Sequence, residues 1–230
     1  MCPKFLLISL LLVSMLVGCS LASPAMAPTT IPTAAPTLEF VEPTLIQPIS
    51  PTQPIIKITP TPVAIQQVVL DQASQVIAVL KEKDMTTLSS YVHPQLGLRF
   101  SPYASVKDTD QVFSVVKVAG LMADPTVYTW GAYDGSGAPI DLTFANYYSK
   151  FVYDADFANA PQLALNHLLG GSTSMDNIFE FYLSAMFVEY HFPGFDPQFE
   201  GMDWRSLRLV FIEDNNTWYL VGIIHDQWTT

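Results

Sequence analysis

The chain has 230 residues, of which 50% are hydrophobic and 13% charged, with 18 prolines and a formal net charge of −11. That length gives room for one sizeable domain and its attachments, and rules out a multidomain machine. Ten Lys and Arg against 21 Asp and Glu leave no basic footprint for nucleic acid and no polybasic patch for anionic lipid. Both cysteines, Cys2 and Cys19, fall in the first twenty residues, so the folded part has no internal disulfide and depends on an ordinary apolar core.

Residues 1–18 read Met-Cys-Pro-Lys, an apolar run from Phe5 to Val17, and Gly18. One base, a short hydrophobic stretch and a small residue before the cut are the parts of a secretory signal. The run is short for a membrane span, which takes about 20 residues. Its end, Leu16-Val17-Gly18-Cys19, resembles the lipobox of bacterial lipoprotein precursors. The resemblance implies cleavage between Gly18 and Cys19, a diacylglyceryl group on the Cys19 thiol and an acylated new amino terminus. Two or three acyl chains suffice for stable anchoring. The expected location is the bacterial cell membrane, lipid-anchored on its extracytoplasmic face.

Residues 19–62 carry the lipidated Cys and a linker. From Leu21 to Pro62 there are ten prolines and eight threonines with one Lys, two Glu and no Gly. Proline removes backbone donors and pushes its predecessor toward extended conformations. A disordered or semi-rigid polyproline-like spacer is expected, with an extreme reach of about 120 Å. It is either a tether that holds a domain off the membrane or a spacer of no particular length. Residues 63–230 form one domain.

Thr61-Pro62 is a helix start, with Pro at the first helical position. Ile65, Val68, Val69, Ala73, Val76, Ile77 and Leu80 then recur at helical spacing. Asp84 caps a short second helix with Met85, Leu88 and Tyr91, ended by Pro94, and Leu98–Phe100 is a short strand. Val127–Tyr133 reads as a strand before an Asp134-Gly135-Ser136-Gly137 turn, and Thr143 caps a helix through Tyr147, Tyr148, Phe151 and Val152. Leu163–Leu169 is a strand ended by Gly170-Gly171. Ser174–Tyr182 is helical, Met186–Phe192 is a strand and Pro193–Met202 is a loop.

Arg205–Ile212 and Thr217–Ile224 form a hairpin around Glu213-Asp214-Asn215-Asn216. Regular pairing places Leu207, Leu209, Phe211, Trp218, Leu220 and Ile224 on one face, and Val210, Ile212, Val221 and Ile223 on the other. Both faces are apolar, so the hairpin is central and covered on both sides. The fold class expected is α+β: N-terminal helices packed on a curved, mostly antiparallel sheet.

Leu80-Lys81-Glu82-Lys83-Asp84-Met85, with Leu88, Tyr91, His93-Pro94 and Arg99-Phe100, resembles the opening of ketosteroid-isomerase-like (nuclear-transport-factor-like) cone domains. The closing Asn216-Thr217-Trp218-Tyr219-Leu220-Val221 is similar to the final hairpin of that superfamily. The resemblance implies a cone-like α+β fold with a pocket between helices and sheet. The strings at 92–94, 100–103, 128–131, 133–137 and 202–208 also resemble a family of bacterial lipoproteins, a likeness that carries no activity with it.

No dinucleotide glycine pattern, phosphate loop, HExxH, CxxC or GxSxG is present. His93, His167, His191 and His225 have no metal-ligand spacing, so neither metal nor cofactor is expected. His93 reads as a cap at a helix end. Glu189 and His191 are two apart on one strand and share a face, as an acid/base pair or as a solvated strand face. Arg205 and Asp226 fall on one face by hairpin parity, directly opposite each other for a two-residue loop, with Trp204, His225 and Trp228 crowding the same end. They are either the mouth of a ligand site or a structural ion pair. The leading functional reading is a non-catalytic binding module for a small molecule or envelope component. The alternatives are an extracytoplasmic hydrolase, isomerase or lyase using a pocket carboxylate and histidine, and a structural envelope subunit that forms a homodimer.

Overall fold

A computed structural model describes residues 62–171 and 175–229. The signal at 1–18, the cleavage and lipidation positions Gly18 and Cys19, and the linker before Pro62 lie outside the described residues. Pro62 opens α1 (Pro62–Lys81), whose Val69, Ala73, Val76, Ile77 and Leu80 are buried along one stripe. α1 is long and apolar enough to cross a membrane, but that stripe belongs to the core of the domain. Asp84 then accepts the Thr87 N–H at 2.9 Å and starts α2 (Met85–Ser89).

Six strands make one sheet: β1 (Leu98–Ser101), β2 (Gln111–Phe113), β5 (Gln162–Leu165), β6 (Met186–Phe192), β7 (Arg205–Asp214) and β8 (Thr217–Gln227). Their order is β2-β1-β8-β7-β6-β5, and every pairing is antiparallel except β1 with β8. β3 (Val127–Ala132) and β4 (Pro139–Thr143) form a separate ribbon. The remaining helices are α3 (Val115–Gly120), α4 (Phe144–Phe151) and α5 (Ile178–Phe181). The architecture is α+β with a mostly antiparallel sheet, as expected. β2, α3 and β4 are additions: three to six residues are too few for a period to show.

Two expected elements are shorter than their sequence suggests. β5 stops at Leu165 because Asn166 adopts a left-handed φ of 52° and its side chain accepts the Phe187 N–H, closing the ladder. α5 starts at Ile178, whose N–H is held by Asp176, and the expected start at Ser174 lies outside the described residues.

The first face of the sheet carries the main core. Leu98, Phe100, Val188, Tyr190, Leu207, Leu209, Phe211, Leu220 and Ile223 meet α1, α2, α4 and the ribbon there. Its centre is aromatic: Trp130 stacks on Tyr147 with centroids 3.8 Å apart, and Phe100, Phe113 and Phe144 meet Trp130 as tilted or edge-on rings. The second face carries a smaller cluster, Val106, Ile178, Tyr182, Ala185, Phe187, Val210, Val221 and Ile224. The terminal hairpin is therefore covered on both sides, as its sequence predicts.

The parity of that hairpin differs from expectation. Asn215 and Asn216, with φ of 50° and 63°, form a two-residue turn between paired Asp214 and Thr217. Phe211 faces Leu220, but the next pair is Val210 with Gly222, so Val221 is an extra residue. This bulge moves every later β8 side chain to the other face. Ile223 consequently sits in the main core and Ile224 in the smaller cluster, the reverse of regular pairing.

Trp130 is fully buried, and its indole N–H donates to the Leu142 carbonyl at 2.9 Å. Trp130→Ala is expected to cost about 3–5 kcal/mol, measured as a lower denaturant midpoint at unchanged slope.

Candidate functional site

The bulge separates Arg205 from Asp226. Arg205 stands across from Gln227, and Asp226 across from Ser206, so the two side chains emerge on opposite faces. The Arg205–Asp226 pair expected from parity does not form. Arg205 Nε lies 2.5 Å from Asp154 Oδ2, and the other oxygen of Asp154 is 3.2 Å from His225 Nε2. A carboxylate only accepts, so His225 donates to Asp154 through Nε2–H. Its Nδ1 is buried without a partner among the described residues. Trp228 remains at the rim, 39% exposed, in a shallow cavity with Tyr103, Asp134 and Lys150. Trp204 packs on the far side, where a Cβ on Gly170 would come within 2.6 Å of its ring. Of the five residues grouped at one corner by sequence, Arg205 and His225 thus meet on Asp154, while Asp226, Trp204 and Trp228 stand apart from them.

Asp226 belongs to a different constellation, centred on Arg208. Arg208 is 1% exposed and engages all three of its nitrogens: Nε donates to Glu189 at 3.0 Å, Nη2 to Asp226 at 2.8 Å and Nη1 to Asp176 at 3.3 Å. Burial disfavours its charge, but Glu189 and Asp226 outweigh that and raise its pKa. Burial pushes the Asp226 carboxyl up, partly offset by Arg208, and does the same to Asp176. Glu189 is fully buried and also receives the N–H groups of Leu169 and Gly170 at 3.2 and 2.9 Å.

Glu189 and His191 do share a face, as their spacing predicts, but it is not solvated: both are buried and joined by Ser206. Ser206 Oγ lies 2.5 Å from Glu189 Oε1 and 2.8 Å from His191 Nδ1. The carboxylate takes the hydroxyl proton, so His191 must donate to Ser206 through Nδ1–H. A serine nucleophile needs the reverse, a histidine that accepts its proton. Ser206 is also fully buried. The serine, histidine and carboxylate therefore hold structure and are not set for nucleophilic attack.

Sequence reasoning missed Arg208, Ser206 and Asp176. The signal for Arg208 was present: a charged residue between Leu207 and Leu209, in a strand with two apolar faces, has to be buried and paired. His93 is a turn cap, its Nδ1 accepting the Gln95 and Leu96 N–H groups at 3.2 Å each. Among the described residues no group of three His, Cys, Asp or Glu has the arrangement to hold a metal ion.

The second face also holds a groove of about 330 Å³. Its floor is Arg99 of β1, Val112 of β2, Ile212 of β7 and Val221 of β8, and Phe181, Tyr182, Leu183 and Leu96 wall it. Asn177 fixes the α5 side through two hydrogen bonds with the Val106 backbone, at 2.8 and 2.9 Å. No protein-family model, curated protein or solved structure matches the chain.

Arg208→Met leaves three carboxylates facing one another without a cation. A loss of about 3–5 kcal/mol is expected at pH 7. Burial already holds the Asp226 and Asp176 carboxyls above their unfolded values, and losing the guanidinium removes what opposes it, so the folded state gains protons first as pH falls. The deficit should shrink between pH 7 and about 4, read from denaturation midpoints across that range.

Burial lowers the His191 pKa, a shift that Glu189 opposes. The unfolded chain then takes up a proton first, near its ordinary value of about 6.5. The contribution of His191 is complete above that pH and is lost as pH falls toward the folded value. His191→Gln should lose less stability than the parent between about pH 6.5 and 5, measured by the difference in melting temperature.

Proposed function

We propose that the chain is a membrane-anchored lipoprotein of the bacterial envelope whose domain is a non-catalytic, extracytoplasmic module that binds a small molecule. One observation carries the reading. The Arg208 constellation is closed on itself, whereas the groove beside Tyr182 is open, apolar and of ligand size. Each nitrogen of Arg208 donates to a carboxylate, and Ser206 receives a hydrogen bond from His191 where a nucleophile would give one. That polarity speaks against the hydrolase alternative.

A cone-like scaffold of the ketosteroid-isomerase-like kind is supported by the order of elements: two opening helices, a first strand and a long closing antiparallel hairpin. Its expected interior pocket finds no support, because aromatic side chains fill the space between the helices and the first face. The binding site is accordingly assigned to the second face. Anchoring rests on the lipobox-like Leu16-Val17-Gly18-Cys19.

Two measurements test the reading. Cys19→Ala should abolish acyl labelling and move the protein out of the membrane fraction; unchanged mass and partitioning would remove the anchor. A panel of apolar and amphiphilic small molecules should contain one that raises the melting temperature saturably and is recovered unaltered, stabilising by about 2–3 kcal/mol at a hundredfold excess over Kd. Turnover of the stabilising compound would overturn the non-catalytic reading.

A further inference from the structure

The groove on the second face combines apolar walls with two polar groups whose surroundings leave bonding capacity unused. Arg99 is the only cation among the residues that line it. Nη1 of Arg99 donates to the carbonyls of Lys107, Asp108 and Asp110 at 2.8, 3.4 and 3.2 Å, which fixes the guanidinium in place. Its plane stands over Phe181, with Cζ 4.8 Å from the ring centroid. No carboxylate of the described residues lies within ion-pair distance of it; Asp110 turns its carboxylate to Ser101 Oγ and the Lys107 N–H. The guanidinium is thus held by one nitrogen, with Nε and Nη2 left for another acceptor.

Tyr182 is the second group. It is 8% exposed, and its hydroxyl donates to no acceptor among the described residues; the upward push of burial on its pKa is opposed by the Arg99 guanidinium beside it. The hydroxyl lies over Gly222, where a Cβ would come within 3.0 Å of it. Gly222 is the cross-strand neighbour of Arg99, so phenol and guanidinium stand side by side on the floor. Burial pushes the Tyr182 pKa to about 12, which keeps the hydroxyl a donor. Leading away from this pair, Leu96, Val112 and Leu183 are large apolar side chains more than 40% exposed.

Resting on the reading of the chain as a binding module, we infer that this groove takes a single-chain amphiphile with a carboxylate head, the head on Arg99 and Tyr182 and the aliphatic tail along Leu96, Val112 and Leu183. Charge complementarity selects the head: a fixed guanidinium and a phenol make a planar donor pair for a carboxylate. The volume selects one chain, since about 330 Å³ lies at the small end of ligand clefts.

The test uses the full chain in phosphatidylcholine nanodiscs, with radiolabelled dodecanoate, dodecan-1-ol and dodecyl phosphate counted above empty nanodiscs. Dodecanoate should bind saturably, one per chain, and more tightly than the other two. Arg99→Met should weaken dodecanoate about tenfold or more and leave dodecan-1-ol unchanged. Because Arg99 also anchors the 107–110 loop, Leu183→Asp serves as a second variant: it is a surface change that sets a like charge beside the tail, and it should abolish dodecanoate binding at an unaltered melting temperature. Equal binding of carboxylate and alcohol, insensitive to Arg99→Met, would overturn the carboxylate while the binding module stands. Tighter binding of dodecyl phosphate would overturn it in favour of a phosphate head. Binding of none of the three would overturn the groove as this amphiphile's site, and the wider panel's outcome would decide separately whether the domain binds small molecules.

Discussion

One extra residue in β8, Val221, decides which side of the sheet every later side chain of the C-terminal strand faces. Between the turn and Phe211 the hairpin pairs regularly; beyond it each β8 residue is displaced by one. A strand alternates its side chains with a period of two, so a displacement of one exchanges the faces. Asp226 is thereby placed beside Ser206 and within reach of Arg208, while His225 turns with Leu207 toward Asp154. Regular pairing would send Asp226 to the aromatic face and leave Arg208 with one carboxylate fewer. The bulge is thus the constraint on which the electrostatics of the domain depend.

The Arg208 constellation follows from the cost of burying charge. A guanidinium with 1% exposure needs its charge balanced and its nitrogens engaged, and Glu189, Asp226 and Asp176 do this from β6, β8 and the segment before α5. Glu189 is in turn saturated by Ser206 and by the backbone of Leu169 and Gly170. Through these bonds the 166–171 segment is tied to the sheet, and Gly170 is the one residue that fits beneath Trp204. The network therefore ties β6, β7, β8 and the 166–171 segment into one arrangement.

At the other end of the same face the balance reverses. Gly222 makes room for the Tyr182 phenol, and that phenol and Arg99 meet no carboxylate. Polar capacity is left unused beside exposed apolar side chains. The proposed binding role rests on this contrast between a saturated end and an unsaturated end of one sheet face.

Strongly periodic elements were legible in the sequence. The stripe of α1, the Asp84 and Thr143 caps and the apolar runs of β6, β7 and β8 follow from local periodicity and capping chemistry, which need no distant partner. The coverage of both hairpin faces also followed, because alternating positions on both sides are apolar. The pairing of Glu189 with His191 on one face was legible from their spacing; their burial was not, because it depends on the segment folded over them. The short β2, α3 and β4 carried too few residues for a pattern. The placement of Asp226 against Arg208 instead of Arg205 was decided only in three dimensions. A bulge is set by how two strands fit the layers packed against them, and no local residue preference at Val221 announces it.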